Sequence, residues 1–210
     1  RLTDLVNPII GTNGMGHTFP GACAPFGIVQ LSPETDTIPQ NVNGKYQPEV
    51  YAYCAGYQYR DQTIVGFSHT HLSGTGHSDL GDIMIMPVNG PLRLNPGTAT
   101  DPGSGYRSRF SHETEKCAPG YYEVILSDYH IKVQLTATQR VGVHQYTFPD
   151  KKGRFILDLG HGIYNYKGKT VWTCLRVVND TLLTGYRITN GWARQNYTYF
   201  AISLSSPIKD

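Results

Sequence analysis

Apolar and polar residues alternate along the second half of the chain. Between His130 and Thr138, Ile131, Val133, Leu135 and Ala137 alternate with His130, Lys132, Gln134 and Thr136, the period of a strand with one buried and one wet face. Tyr122, Val124 and Leu126 give a preceding strand, and the short Ser127-Asp128-Tyr129 link turns a hairpin between the two. Val141 and Val143 open a further strand, but His144, Tyr146 and Phe148 continue on the opposite parity. That phase switch predicts a bulge between Gly142 and His144. Phe155, Leu157 and Leu159 follow a turn at Pro149 to Gly153, and the stretches 171–177, 182–188 and 197–204 complete a series of short strands at the spacing of an all-β sandwich. No window carries a sustained i, i+3, i+4, i+7 apolar repeat with caps, so the prediction is an all-β chain.

The first half reads differently. Residues 7–30 and 56–90 are dense in Gly, His, Ser, Thr and Pro, with Ile83 to Met86 as a short apolar run that reads as a buried strand ended by Pro87. Residues 89–105 are rich in turn residues and read as a surface excursion. Compact domains rarely carry this much loop without using it, which directs the search for function to these segments.

Composition supports the pattern. The chain has 210 residues, of which 16% are charged against a usual ~25%, with 23 Gly, 13 Pro and 15 Tyr. Such a chain is neither disordered nor a coiled coil, and its length suits one domain over 1–210. A net charge of +2 with no long run of like charge gives no nucleic-acid partner. No apolar run approaches the ~18 residues of a membrane span. The chain opens inside apparent structure (Leu2 to Ile10) without a basic-then-apolar leader, so any targeting segment is expected to have been removed. Cys23, Cys54, Cys117 and Cys174 form no CxxC pair and are expected as free thiols, with two disulfides in any of three pairings as the alternative.

Chemistry concentrates in Gly66 to Asp82, which holds His69, His71 and His77, Asp79 and Asp82, and several hydroxyls between glycines. One reading is a metal site. The His69-x-His71 pair resembles the start of a metallo-β-lactamase HxHxDH motif, but Ser73 and Gly74 fill the required Asp and His positions, and a cupin-like Glu is missing until Glu113. A second reading is a polyol-binding loop, since sugars need short hydrogen-bonding side chains, close backbone and an aromatic platform such as Phe67 or Tyr57. A third is a self-satisfied turn network with buried histidines. The Gly11 to Gly21 segment lacks the Gly-Lys-Ser/Thr of a P-loop and is interrupted by Pro20, leaving either a connector or a second close-approach loop with His17 and Phe19 as contacts. No Gly-x-Ser-x-Gly elbow occurs, and no catalytic carboxylate pair can be picked out. The two Asn-x-Thr sequons at Asn179 and Asn196 fall in strands or their turns and read as chance matches.

Several longer motifs occur in order over nearly the whole chain. They include Val6-Asn7-Pro8-Ile9-Ile10-Gly11-Thr12, Gly16-His17-Thr18-Phe19-Pro20-Gly21, Pro25-Phe26-Gly27-Ile28, Gly66 to Gly76, Asp79-Leu80-Gly81-Asp82, Phe110-Ser111-His112-Glu113 and Gly191-Trp192-Ala193. On these the chain resembles the N-terminal domain of the glycoside hydrolase family 92 α-mannosidases of the α-1,2-mannosidase type. The resemblance implies a large antiparallel β-sandwich of the supersandwich, galactose-mutarotase-like kind. It also implies that a helical toroid, absent from this chain, follows and carries the catalytic carboxylates and most of a calcium site. The expected activity is inverting exo-hydrolysis at a site between the two domains, with mannose-containing glycans and the C-terminal domain as partners and a periplasmic or secreted location. The sandwich's share would be substrate contacts from His17, Thr18, Phe19, His69, His71, Thr75, His77 and Asp79, with no catalytic or metal-binding residue in this chain and no hydrolysis by the 210 residues alone. His77 would face the leaving sugar. The competing classes are a stand-alone carbohydrate-binding module and a purely structural domain.

Overall fold

The computed structural model describes residues 1–77, 79–150 and 152–209. In chain order the strands begin with β1 (Ala22–Cys23), β2 (Gln30–Glu34), β3 (Asn41–Val42), β4 (Lys45–Tyr46), β5 (Thr63–Ile64) and β6 (Gly66–Ser68). They continue with β7 (Met84–Val88), β8 (Ser108–Arg109), β9 (Lys116–Ala118), β10 (Tyr121–Leu126) and β11 (Ile131–Ala137). The series ends with β12 (Gly142–Thr147), β13 (Arg154–Asp158), β14 (Thr170–Asn179), β15 (Leu182–Thr189) and β16 (Asn196–Ser203). Helical structure among the described residues is confined to short 3₁₀ segments, the longest being Pro48–Tyr53. The all-β antiparallel prediction holds.

A five-stranded sheet of order β1-β2-β6-β7-β13 and a four-stranded sheet of order β12-β11-β10-β9 form the sandwich. One apolar cluster draws on both sheets, with Leu31, Phe67, Met84 and Met86 from the first and Tyr122, Val124, Leu126, Ile131, Val133 and Leu135 from the second. The alternating strand β11 behaves as its sequence requires: Ile131, Val133 and Leu135 are buried and the residues between them are not. At roughly 25 cal/mol per Å² of apolar surface removed from water, each such side chain contributes about 1.5–3 kcal/mol. The β10–β11 hairpin pairs Leu126 with Ile131, so His130 belongs to the turn, where its φ is 52°, and not to the strand.

Three expectations are corrected. No bulge interrupts 142–144: β12 pairs with β11 in unbroken register from Lys132↔Thr147 to Ala137↔Gly142. The parity switch has another cause. Val141 and Val143 simply face solvent, while His144 and Tyr146 turn inward. Gly142 is required for close approach, since a Cβ there would lie 2.8 Å from His69 Cδ2. The strand at Ile83 to Met86 does not end at Pro87, because β7 runs on to Val88 and Pro87 pairs with Phe155 of β13, beyond the point where β6 pairs at Ile85. Leu159 lies outside β13, which ends at Asp158.

A third sheet has the order β14-β15-β16. Register shifts between Thr170 and Trp172 and between Val177 and Asn179 place two irregularities in β14. Trp172, Leu175, Val177, Tyr197 and Tyr199 of the outer strands are exposed, whereas the central strand β15 has no exposed residue and buries Leu183, Arg187 and Thr189. Its attachment is polar. Arg187 of β15, fully buried, places Nε 3.1 Å from Asp82 Oδ1 and donates through Nη1 to the His161 carbonyl. All four cysteines are free thiols.

Candidate functional site

The two loops singled out in the sequence meet. The Gly74 amide donates to the His17 carbonyl at 2.7 Å, and Phe19 packs on the His71 ring with centroids 5.3 Å apart. His17 sits at φ 51° and is 6% exposed, its ring edge-on to Tyr51 at 4.9 Å. Its Nε2 is buried and finds no hydrogen-bond partner among the described residues. Thr18 is half-buried and donates its hydroxyl to the Ile10 carbonyl at 2.9 Å, and Thr75 is half-buried on the facing loop.

His69 and His71 serve different networks. His69 Nδ1 donates to the Ile83 carbonyl at 2.6 Å, so its Nε2 is the acceptor for His144 Nε2–H at 3.0 Å. His144 Nδ1 then accepts the Tyr146 hydroxyl at 2.7 Å. One proton order satisfies this chain, and in it both imidazoles are neutral. Burial agrees: it pushes His69 down to about 4 and His144 well below the usual histidine range, with His71 also disfavouring charge on His69, and His69 on His144.

His71 is 2% exposed. Its Nδ1 lies 2.7 Å from the Gln30 carbonyl, and its Nε2 lies 2.9 Å from Glu34 Oε1 and 3.1 Å from Ser68 Oγ. Burial by itself would raise the Glu34 carboxyl, yet His71 and His161 beside it reverse that and hold it well below the carboxylate range. His71 is therefore a buried brace behind Phe19 and the loop, with both nitrogens committed to this chain.

His77 and Asp79 lie on the outer part of the loop. The His77 ring is half-buried and stacks on Trp192 at 5.0 Å and 29°. The Asp79 carboxylate accepts the backbone amides of Trp192 at 3.0 Å and Ala193 at 3.1 Å. Asp82 is buried and accepts the Thr70 hydroxyl at 2.7 Å while facing Arg187. The described residues bring together no group of three or more His, Cys, Asp or Glu able to hold a metal ion. The carboxylates of this region are taken up by protein donors, so they do not fit a calcium site. A separate cleft of about 450 Å³, lined by Asn7, Tyr59, His112 and Glu115 among others, includes none of these loop residues.

Local spacing in the sequence does not disclose Glu34 or His144 as partners of the loop, and it gives Arg187 only within the Gly185-Tyr186-Arg187 motif. Glu34 lies in a strand buried on both sides, and His144 and Arg187 reach the loop from strands far along the chain. Trp192 stands out in the sequence only within the Gly191-Trp192-Ala193 motif.

Comparison with known proteins places this arrangement. The profile described as the glycosyl hydrolase family 92 N-terminal domain matches residues 5–210. The family GH92 α-mannosidase BT3965 of Bacteroides thetaiotaomicron, solved in complex with mannoimidazole, is 40% identical and superposes with a TM-score of 0.88 over 98% of this chain and 25% of its own. The GH92 inverting mannosidase BT2199 of the same bacterium is 26% identical with a TM-score of 0.71, over 98% of this chain and 25% of its own. An uncharacterized secreted glycosidase of Arthroderma benhamiae is 28% identical over 153 residues, which is 69% of this chain and 17% of that protein. The chain belongs to glycoside hydrolase family 92, as its N-terminal domain. It spans about a quarter of the length of the solved relatives.

Proposed function

We propose that this chain acts as the N-terminal domain of a calcium-dependent, inverting exo-α-mannosidase, shaping the pocket for a terminal mannose of a glycan. The observation that carries this reading is the junction of the two loops, Gly74 to His17, in a chain 40% identical to an α-mannosidase solved with mannoimidazole. His17 offers a buried nitrogen with no partner among the described residues, and Phe19 offers an apolar face. Thr18, Thr75 and His77 lie on the same two loops. His69, His71 and Asp79 hold those loops in shape through the bonds already described.

Inversion needs one carboxylic acid to protonate the leaving oxygen and a carboxylate about 6.5–9.5 Å away to activate water on the other face of the sugar. In this proposal both groups, and the calcium ligands, come from polypeptide outside these residues. His17 and Phe19 then contribute by binding and orienting the mannose and excluding water around it. The compartment proposed is periplasmic or extracellular, in keeping with the fungal relative named a secreted glycosidase.

The test compares the protein expressed from its complete open reading frame with the 210-residue chain on α-1,2-mannobiose. The proposal expects mannose from the first and none from the second. Release by the chain alone overturns it. Submillimolar binding of mannose to the chain alone, measured by calorimetry, would favour a carbohydrate-binding module instead.

A further inference from the structure

The Phe110-Ser111-His112-Glu113 motif lies apart from the two joined loops, in the turn that leads into β9. β9 is an edge strand of the four-stranded sheet, and the cleft of about 450 Å³ opens against it. One buried carboxylate organises that cleft. Glu115, its side chain 3% exposed, accepts the Tyr57 hydroxyl at 3.0 Å, the Tyr122 hydroxyl at 2.7 Å and His112 Nδ1–H at 2.6 Å. Its charge is thereby spent within the fold. The same bond fixes the His112 ring, which stacks on Tyr59 with centroids 4.1 Å apart and meets Phe110 edge to face at 5.0 Å. His112 Nε2 is left without a hydrogen-bond partner among the described residues. Tyr59 stays 39% exposed although its amide is tied to the Thr12 carbonyl at 2.9 Å. Asn7 Oδ1 is taken by the Ile9 amide at 3.0 Å, which leaves the Asn7 NH₂ group as a donor. Lys116 also lines the cleft, but its ammonium is bound to Glu123 at 3.0 Å.

The cleft therefore offers a fixed aromatic ring, the apolar Ile9, one imidazole nitrogen and one amide, without an unpaired charge among its described residues. A phosphate or carboxylate ligand would need a free cation, and a cationic ligand a free anion. A neutral ligand with an apolar face and several hydroxyls fits instead. We propose that this cleft is a second carbohydrate site, separate from the two joined loops, which takes one neutral pyranose ring with its C–H face against Tyr59 and a hydroxyl on His112 Nε2. A hydroxyl both donates and accepts, so it pairs with that nitrogen whether or not the nitrogen carries a proton. Glu115 is a positioning residue that acts through His112, and a ring held in place beforehand loses little entropy on binding. The inference goes beyond the mannosidase reading and stands without it, since the cleft includes none of the residues of the proposed mannose pocket.

The test follows the imidazoles of the 210-residue chain, labelled with nitrogen-15 histidine, by NMR. The His112 signal is assigned as the one lost in His112→Gln. Methyl α-mannoside, methyl α-glucoside and methyl β-galactoside are each titrated to about 50 mM, well above the Kd of about 1–10 mM expected for one ring on an open cleft. The proposal expects saturable movement of His112 Nε2 with at least one of these sugars. Tyr59→Ala should weaken that Kd about three- to tenfold, the worth of one aromatic contact. Tyr59→Phe, which keeps the ring, should hold it within about twofold, and unshifted signals from the other imidazoles check that both variants are folded. No movement of His112 with any of the sugars overturns the proposal, as does equal affinity in Tyr59→Ala and wild type. A His112 response abolished by His17→Ala would place the sugar in the two-loop pocket and overturn it too. If the protein from the complete open reading frame fails to hydrolyse mannosides, the mannosidase reading falls and the His112 titration still decides this site.

Discussion

Acidification should loosen this domain through the His69–His144 pair, and the effect can be worked from the structure. His69 is held down to about 4 by burial, against 6.5 in an unfolded chain. A base whose folded pKa is depressed contributes stability that is fully present above its unfolded pKa and is lost as pH falls from 6.5 toward 4. Between pH 7.5 and pH 5.0 that loss is about 2 kcal/mol for His69 alone, at 1.36 kcal/mol per pKa unit. His144 is shifted the same way and adds to it. The geometry explains why: a second proton on His69 would set its Nε2–H against the His144 Nε2–H at 3.0 Å, and one on His144 would take away the Nδ1 lone pair that accepts the Tyr146 hydroxyl. Asp36 works in the opposite sense, since burial pushes it up to about 6 and its ionisation costs stability at neutral pH. The useful measurement is therefore a difference between two proteins. Urea unfolding of wild type and His69→Gln at both pH values, under reducing conditions, should show the variant losing about 2 kcal/mol less than wild type on acidification. Any cost of the substitution that does not depend on pH cancels in that comparison. If the two proteins lose stability equally, the neutral pair described here is wrong.

Other perturbations give effects of known direction. Arg187→Met strands the buried Asp82 carboxylate and should cost about 3–5 kcal/mol in denaturant unfolding; a cost below 1 kcal/mol would mean the third sheet is held by something else. Leu135→Ala, between the two sheets of the sandwich, should cost about 2–5 kcal/mol by the same assay. Gly191→Ala would put a Cβ 1.9 Å from Asp79 Oδ1 and should displace that carboxylate from the Trp192 and Ala193 amides, at a cost of about 1–3 kcal/mol in the same unfolding assay; a stability equal to wild type would contradict the tight fit at that glycine.

What the sequence discloses follows from how each strand is buried. β11 shows its alternation because one face meets the core and the other meets solvent. β2 and β7 lie inside the five-stranded sheet with nearly every residue covered, so no alternation remains to be read, and the polar Ser32 and Glu34 disguise β2 further. In β12 Val143 faces outward and the histidine and tyrosine inward, the reverse of what polarity suggests, because His144 and Tyr146 satisfy their polar atoms within a chain of hydrogen bonds. The site divides similarly. The loops are evident from glycines and histidines next to one another in the chain. The partners that fix those histidines, Glu34 for His71 and His144 for His69, are distant in sequence, and local spacing contains no trace of them.

The central claim is that the two joined loops of this chain form a wall of the mannose pocket. It is tested most directly by His17→Ala in the protein from the complete open reading frame, assayed on α-1,2-mannobiose alongside an unfolding curve. Losing a buried hydrogen bond to the sugar should lower kcat/KM roughly 10- to 100-fold, equivalent to about 1.4–2.7 kcal/mol, while the unfolding midpoint stays near wild type. Turnover equal to wild type in the folded variant would contradict the account.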